Sequence, residues 1–375
     1  MLDHTQWFLT GMLITLSIQL SQPVVAGVPI GKVVQTTQTN SSDAAKKALK
    51  EGLELYRQGT AEAKRSAIIK LEEALKLFRA VGDRRGEAAT LHNIGSAYSD
   101  LGEKQKALEY YSQSLPLSRE TGNRRGEATT LNNIGLVYSD LGEKQKALEY
   151  YSQSLPMTRA VGDRDGEATT LNNIGGVYSE LGEKRKALEY YSQSLPLSRA
   201  TGDRFLEATI LKNIGDAYSD LGEKQKALEY YSQSLPLFRV VGNRAREALT
   251  LNNIGLVYSE LGENQKALEY YSQSLPMTRA VGDRGGEAVT LYNIAFVKRR
   301  QNNLTEALND IESSLKILEN FSTENAIPEL RTSYLSKLQN YYKFYIDLLM
   351  QLHQAKPNSG YDIKASEARK RAINL

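Results

Sequence analysis

The chain has 375 residues, and its 47 Lys and Arg are interleaved with 44 Asp and Glu, so a net charge of +3 offers no basic footprint for nucleic acid. The absence of cysteine excludes disulfides and thiolate chemistry, and the three histidines, His4, His92 and His353, are too scattered for a metal cluster. Hydrophobic residues make up 41%, and helix-forming Ala, Leu, Glu, Lys and Gln outweigh Val and Ile, which describes a globular helical protein.

Trp7 to Leu20 reads WFLTGMLITLSIQL, too short and too rich in Thr, Ser and Gln for a membrane span but of the length of a signal-peptide core. Val24-Val25-Ala26-Gly27 follows, with small or modest side chains where a signal peptidase reads, so residues 1–26 are assigned to a signal peptide cleaved after Ala26. The expected destination is the periplasm or the exterior. MLDHTQ carries no Lys or Arg, and without cleavage the alternatives are a membrane-anchored or a cytoplasmic chain. Residues 27–42 are polar and aperiodic and read as a flexible linker.

A forty-residue beat then dominates residues 43–323. The phrase LGEKQKALEYYSQSLP begins at Leu101, Leu141 and Leu221, with near copies at Leu181 and Leu261 that differ at Arg185 and Asn264. Each unit holds two helical patterns. Leu91, Ile94, Tyr98 and Leu101 share one face of a first helix, A, which Gly102 ends. A second helix, B, starts near Glu103 and buries Ala107, Leu108, Tyr111 and Leu115. Gly122 closes it, and Asn123 caps the next helix A, as Asp83, Asp163, Asp203, Asn243 and Asp283 do in other copies. Such a hairpin cannot cover its own apolar faces, so the units must stack. Gly95 and Ala107 mark close approaches, and Pro116, Pro156, Pro196, Pro236 and Pro276 predict a bend inside each helix B. Beyond Thr323 the beat stops. Ala326 to His353 reads as one long helix with Leu330, Tyr334, Leu338, Tyr341, Tyr345, Leu348 and Leu349 on its apolar side, and residues 324–375 as C-terminal capping helices. Tyr342 and Phe344 widen that surface toward self-association.

The pattern Leu91, Ile94, Gly95, Tyr98, Ala107, Tyr111 resembles the tetratricopeptide repeat signature in its forty-residue form. The resemblance implies an all-α solenoid, a right-handed superhelix of helix hairpins with about seven repeats. The first copy has three extra residues between Gly59 and Ala67. The last has Ala295 and Lys298 in place of the glycine and tyrosine. The flanking segments Glu51 to Asp83 and Glu329 to Gln354 resemble those around the repeats of bacterial CHAT proteins, in which a caspase-like protease domain follows. The sequence ends at Leu375 before any such domain, so no catalytic residue of that family has a position in it.

Opposite the buried side of helix A lies a second stripe, Ala89, Asn93, Ser96 and Asp100. In tetratricopeptide superhelices the equivalent surface lines the concave groove. It carries an asparagine in every clear copy, and an amide can both donate to and accept from a peptide backbone. The neighbouring position reads His92, Asn132, Asn172, Lys212, Asn252, Tyr292, and another reads Ser96, Leu136, Gly176, Asp216, Leu256, Phe296. The candidate peptide-binding residues are therefore Asn93, Asn132, Asn133, Leu136, Asn172, Asn173, Lys212, Asn213, Asn252, Asn253, Leu256 and Asn293. The competing reading is that these amides bond to neighbouring helices or water. A carboxylate clamp lacks its cations, with Lys212 and Arg300 almost alone on the stripe. Arg84, Arg124 and their equivalents have Glu87, Glu127 and theirs three residues on, which suggests local pairing. No serine keeps a defined relation to a base, and neither a phosphate loop nor a paired-acid motif stands out. The expectation is a non-enzymatic scaffold with a protein or peptide partner, no nucleic acid, no metal and no cofactor. The alternatives are the regulatory arm of a split or truncated CHAT-type protease, and a structural spacer.

Overall fold

The computed structural model describes residues 30–324 and 328–373, with side chains from 41 to 320 and from 338 to 373. The expected signal segment, and the side chains of Leu330 and Tyr334, lie outside the described residues. Among those described there are sixteen α-helices and no strand: α1 (Ile30–Arg57), α2 (Ala61–Val81), α3 (Arg84–Asp100), α4 (Lys104–Glu120), α5 (Arg124–Asp140), α6 (Lys144–Ala160), α7 (Arg164–Glu180) and α8 (Lys184–Thr201). There follow α9 (Arg204–Asp220), α10 (Lys224–Val240), α11 (Arg244–Glu260), α12 (Asn264–Ala280), α13 (Arg284–Arg300), α14 (Leu304–Glu324), α15 (Pro328–Ala355) and α16 (Tyr361–Ile373). None of the described helices is long and apolar enough to cross a membrane. α1 begins at Ile30, inside the span read as a linker.

The ends of the helices follow from their terminal residues. Asp83 accepts a hydrogen bond from the Gly86 amide at 2.9 Å, and Asn123 from Gly126 at 3.0 Å, each satisfying an orphan donor of the first turn. Gly102 and Gly122 stop their helices at φ of 80° and 66°, a left-handed conformation that costs glycine no steric penalty. The three extra residues of the first copy are absorbed by starting α2 at Ala61, ahead of Lys64, which matches Lys104 at the start of α4. Pro116 leaves α4 unbroken. Ser112, whose carbonyl the proline deprives of an amide, faces solvent, where water can replace the lost bond.

The core is serial. Ala107 and Tyr111 of α4 pack with Ile134 and Val137 of α5, and Ala147 and Tyr151 of α6 with Ile174 and Val177 of α7. These apolar clusters thus join helix B of one hairpin to helix A of the next, as stacking requires, while Ala45, Ala48, Ala74 and Phe78 close the first hairpin from within. Within a hairpin, a buried serine of helix B donates to an alanine carbonyl of helix A: Ser114 to Ala88 at 2.9 Å, Ser154 to Ala128 at 2.8 Å and Ser194 to Ala168 at 2.7 Å. Successive A helices touch one another, from α3 and α5 through to α11 and α13, and so form the inner row. At the C-terminal end Leu338, Tyr341, Phe344 and Leu348 of α15 join Ala365 and Ala368 of α16 in covering α13 and α14.

Candidate functional site

The inner face of each helix A carries the stripe expected from sequence, at residues 89, 93, 96 and 100 of α3 and their equivalents. Its asparagines are half-buried and spoken for. Asn213 Nδ2 donates to Asn172 Oδ1 at 3.0 Å, and Asn172 Nδ2 to Asn173 Oδ1 at 3.5 Å. Asn173 Nδ2 donates in turn to Asn132 Oδ1 at 3.2 Å, and Asn132 Nδ2 to Asn133 Oδ1 at 3.3 Å. Asn133 Nδ2 ends the run on His92 Nε2 at 3.4 Å. One amide chain therefore crosses three joints between hairpins, α9 to α7, α7 to α5 and α5 to α3.

This chain sets the tautomer of His92. Nε2 accepts from Asn133, so the proton resides on Nδ1, which donates to Thr130 Oγ1 at 3.0 Å while that hydroxyl donates to Gly126 O at 2.8 Å. Burial lowers the imidazole to about 4, keeping it neutral.

Lys212 interrupts the amide run. Its Nζ lies 2.6 Å from Asp216 Oδ2, and Asp216 Oδ1 accepts from Tyr231 at 2.7 Å and from Asn253 at 3.0 Å. That hub raises the Tyr231 phenol well above its ordinary range, through burial first and the Asp216 charge second. Beyond it the amide pattern resumes, Asn293 donating to Asn252 Oδ1 at 3.2 Å. Asn93 is different, for its amide returns to Ala89 O of its own helix at 2.8 Å. Leu136 and Leu256 reach solvent, as do Phe296, Leu249 and Val289 of the same stripe.

Many charges along the array are paired. Arg79 and Arg84 both bond Glu87, at 2.7 and 3.0 Å, and although burial acts upward these bonds hold its carboxyl below the usual range. Arg125 grips Asp163 through Nε and Nη2, both at 2.9 Å. Sequence reasoning anticipates the Arg–Glu pairs three residues apart, which form at Glu87, Glu127, Glu247 and Glu287, whereas Glu167 and Glu207 take Arg159 and Arg199 instead. It missed the serine–carbonyl bonds and the Asp216 hub, because their partners stand 26 and up to 37 residues apart. The signal available was the unvarying serine at the Ser114 register. An open crevice of about 300 Å³ between α3 and α5 is lined by His92, Asn93, Ser118, Arg125, Thr129 and Thr130. Among the described residues no cluster of three metal-ligating side chains occurs.

The tetratricopeptide repeat profile matches residues 65–120, 105–160, 126–200, 167–240 and 246–320, well over half of the chain. The chain belongs to the tetratricopeptide repeat family. Its tetratricopeptide fold is similar to the Signal Transduction ATPase with Numerous Domains of Pyrococcus horikoshii, which has a tetratricopeptide repeat sensor. The identity is 14% and the TM-score 0.64, over 89% of this chain and 53% of that one. This chain thus spans about half the length of that ATPase. The apo quorum sensor NprR of B. thuringiensis aligns over 91% of this chain and 93% of its own at 17% identity and TM-score 0.60. A Rap protein complexed with competence and sporulation factor aligns over 89% and 99%, at 16% identity and TM-score 0.54. At these identities the likeness concerns the fold. No curated protein sequence matches the tetratricopeptide array significantly.

Proposed function

We propose that this tetratricopeptide array is a non-enzymatic scaffold that holds an extended peptide or protein segment along its inner row of A helices. The observation that carries the reading is a division of labour between faces. The sixteen-residue phrase that forms most of helix B repeats almost verbatim, whereas the inner stripe changes from Ser96 to Leu136, Gly176, Asp216, Leu256 and Phe296. A spacer has no use for exposed Leu249, Leu256, Val289 and Phe296 gathered on two neighbouring helices. The solved complex of a Rap protein with competence and sporulation factor supports such a use of the fold.

Gly176 supplies the test. A Cβ there would meet only the Tyr191 hydroxyl, at 4.0 Å, so Gly176→Trp would fill the groove without disturbing a joint. Selection on the full chain from a randomised library of peptides about 15 residues long, which at about 3.1 Å per residue reach from α13 to α7 across joints of about 8–10 Å, should enrich binders, and Gly176→Trp should lose them at least tenfold while its thermal melt is unimpaired. Equal enrichment on the plugged chain, or none on either, rejects the groove. Export, with a mature chain starting at Gly27, is a separate proposal that N-terminal sequencing decides.

A further inference from the structure

The inner stripe is not uniform along the array. Its registers carry Ala89 and Ser96 in α3, Thr129 and Leu136 in α5, Thr169 and Gly176 in α7, and Thr209 and Asp216 in α9. In α11 and α13 both registers turn apolar: Leu249 and Leu256 are 40% and 39% exposed, Val289 and Phe296 37% and 42%. Spacings of seven residues keep each pair on one helix face, and the two helices are adjacent. Phe344 of α15, its centroid 6.2 Å from Phe296, walls the patch at its far end.

The joint beside this patch is also unlike the others. At five preceding joints a lysine of helix B pairs with an acid ending the next helix A: Lys64 with Asp100 at 3.1 Å, then Lys104 with Asp140, Lys144 with Glu180, Lys184 with Asp220 and Lys224 with Glu260. At the sixth, Asn264 replaces the lysine and Arg300 the acid. Arg300 Nη1 reaches back to Ser259 O at 2.6 Å, a carbonyl of the kind that Lys144 and Lys224 occupy at their own joints, on Ser139 at 2.7 Å and Ser219 at 2.9 Å. The guanidinium is thereby positioned, with most of its five N–H donors unused and no carboxylate paired to it among the described residues. The charges around it are committed: Glu260 to Lys224, Lys298 to Glu306 and Asp310, and Arg299 to Gln351. Arg300 stands one turn from Phe296, on the same stripe.

Folding does not account for Leu256. Tyr111 and Tyr231 find Ser96 and Asp216 at the corresponding place, at 3.1 and 2.7 Å, whereas the Tyr271 hydroxyl is buried with no partner among the described residues. An orphaned buried hydroxyl costs roughly 1–3 kcal/mol.

Resting on the groove reading above, we infer that α11 and α13 form a distinct subsite for a peptide segment with two apolar side chains and a carboxylate. The apolar groups seat on Leu249, Leu256, Val289 and Phe296, and the carboxylate pairs with Arg300. A purely apolar occupant would strip water from the guanidinium without compensation. A purely acidic one would leave the patch wet. Adjacent helices lie about 8–10 Å apart, and a polyproline-type strand rising about 3.1 Å per residue brings residues i and i+3 to one side at that spacing.

The peptide selection on the full chain should enrich sequences with two apolar residues three apart and an Asp or Glu. For one enriched peptide, labelled with fluorescein and followed by anisotropy, Leu256→Ser with Phe296→Ser should weaken binding at least tenfold. The pair Asn264→Lys and Arg300→Asp rebuilds the joint seen five times before, so it preserves the fold. It should weaken the acidic probe tenfold and leave the same probe with Asn for its acid unchanged. Enriched peptides lacking these features, or binding all variants alike, overturn the subsite, and the groove stands if Gly176→Trp still blocks them. An empty selection overturns both. Light scattering that shows a dimer dissociated by the Leu256→Ser, Phe296→Ser pair assigns the patch to a second copy and also overturns the subsite.

Discussion

Gly135 and Tyr151 pack so closely that a Cβ on the glycine would lie 2.7 Å from the tyrosine ring, across the hairpin of α5 and α6. The contact recurs between Gly95 and Tyr111, Gly175 and Tyr191, Gly215 and Tyr231, and Gly255 and Tyr271. A ring held on both sides cannot retreat, so Gly135→Ala should destabilise the array by about 1–2 kcal/mol, overpacking outweighing the helix propensity gained. Gly176→Ala, one hairpin on, meets open space and should stabilise by about 0.5–1 kcal/mol. Opposite signs in urea melts of the two variants check the assignment.

The amide chain makes a different demand. Asn173→Ala removes the donor to Asn132 Oδ1, which is buried, and should cost on the order of 1–3 kcal/mol. Asn93→Ala breaks only a bond to its own helix and should stay within roughly 0.5 kcal/mol. Equal losses in thermal melts would contradict an inter-hairpin chain.

Lys212 has only 12% of its side chain exposed, and Asp216 is its carboxylate partner. Asp216→Ala strands the ammonium and removes the acceptor of both Tyr231 and Asn253, which should cost roughly 2–4 kcal/mol. Lys212→Asn with Asp216→Ser restores residue types used at other copies and should recover most of that loss, as a double-mutant comparison by denaturant unfolding would show.

His92 gives the array an acid-sensitive joint. Its folded pKa of about 4 lies below the unfolded value near 6.5, so the unfolded chain binds the proton more readily. The neutral ring's contribution is complete above about 6.5 and is lost as pH falls through that value toward 4. The carboxylates also titrate near the lower end of this window, so the comparison must be internal. His92→Asn, the residue at the same register in α5, α7 and α11, should flatten the stability slope between pH 6.5 and 4, measured as the difference from the parent chain.

Much of this architecture was legible because forty-residue identity repeats the pattern of each helix several times. Gly102, Gly122 and Asp83 punctuate the chain through local backbone preferences, and they end and start helices as their residue types require. The Asn stripe was legible too, since 100° per residue places Asn93 opposite Leu91 and Tyr98. Which partner each amide takes was not, because Asn173 and Asn132 are 41 positions apart and meet only when hairpins stack.

By itself, then, the sequence determined the helices, their caps, the repeat and the family, all of which depend on residues within one or two turns or on self-similarity at a fixed interval. Tertiary structure alone decided that the amides are already bonded to one another across hairpins, that Asp216 accepts from Asn253 of the next hairpin, and that Arg300 has lost the acid–lysine pairing of its equivalents beside an exposed apolar patch. These are relations between neighbouring hairpins, whose distances are set by stacking and not by position along the chain.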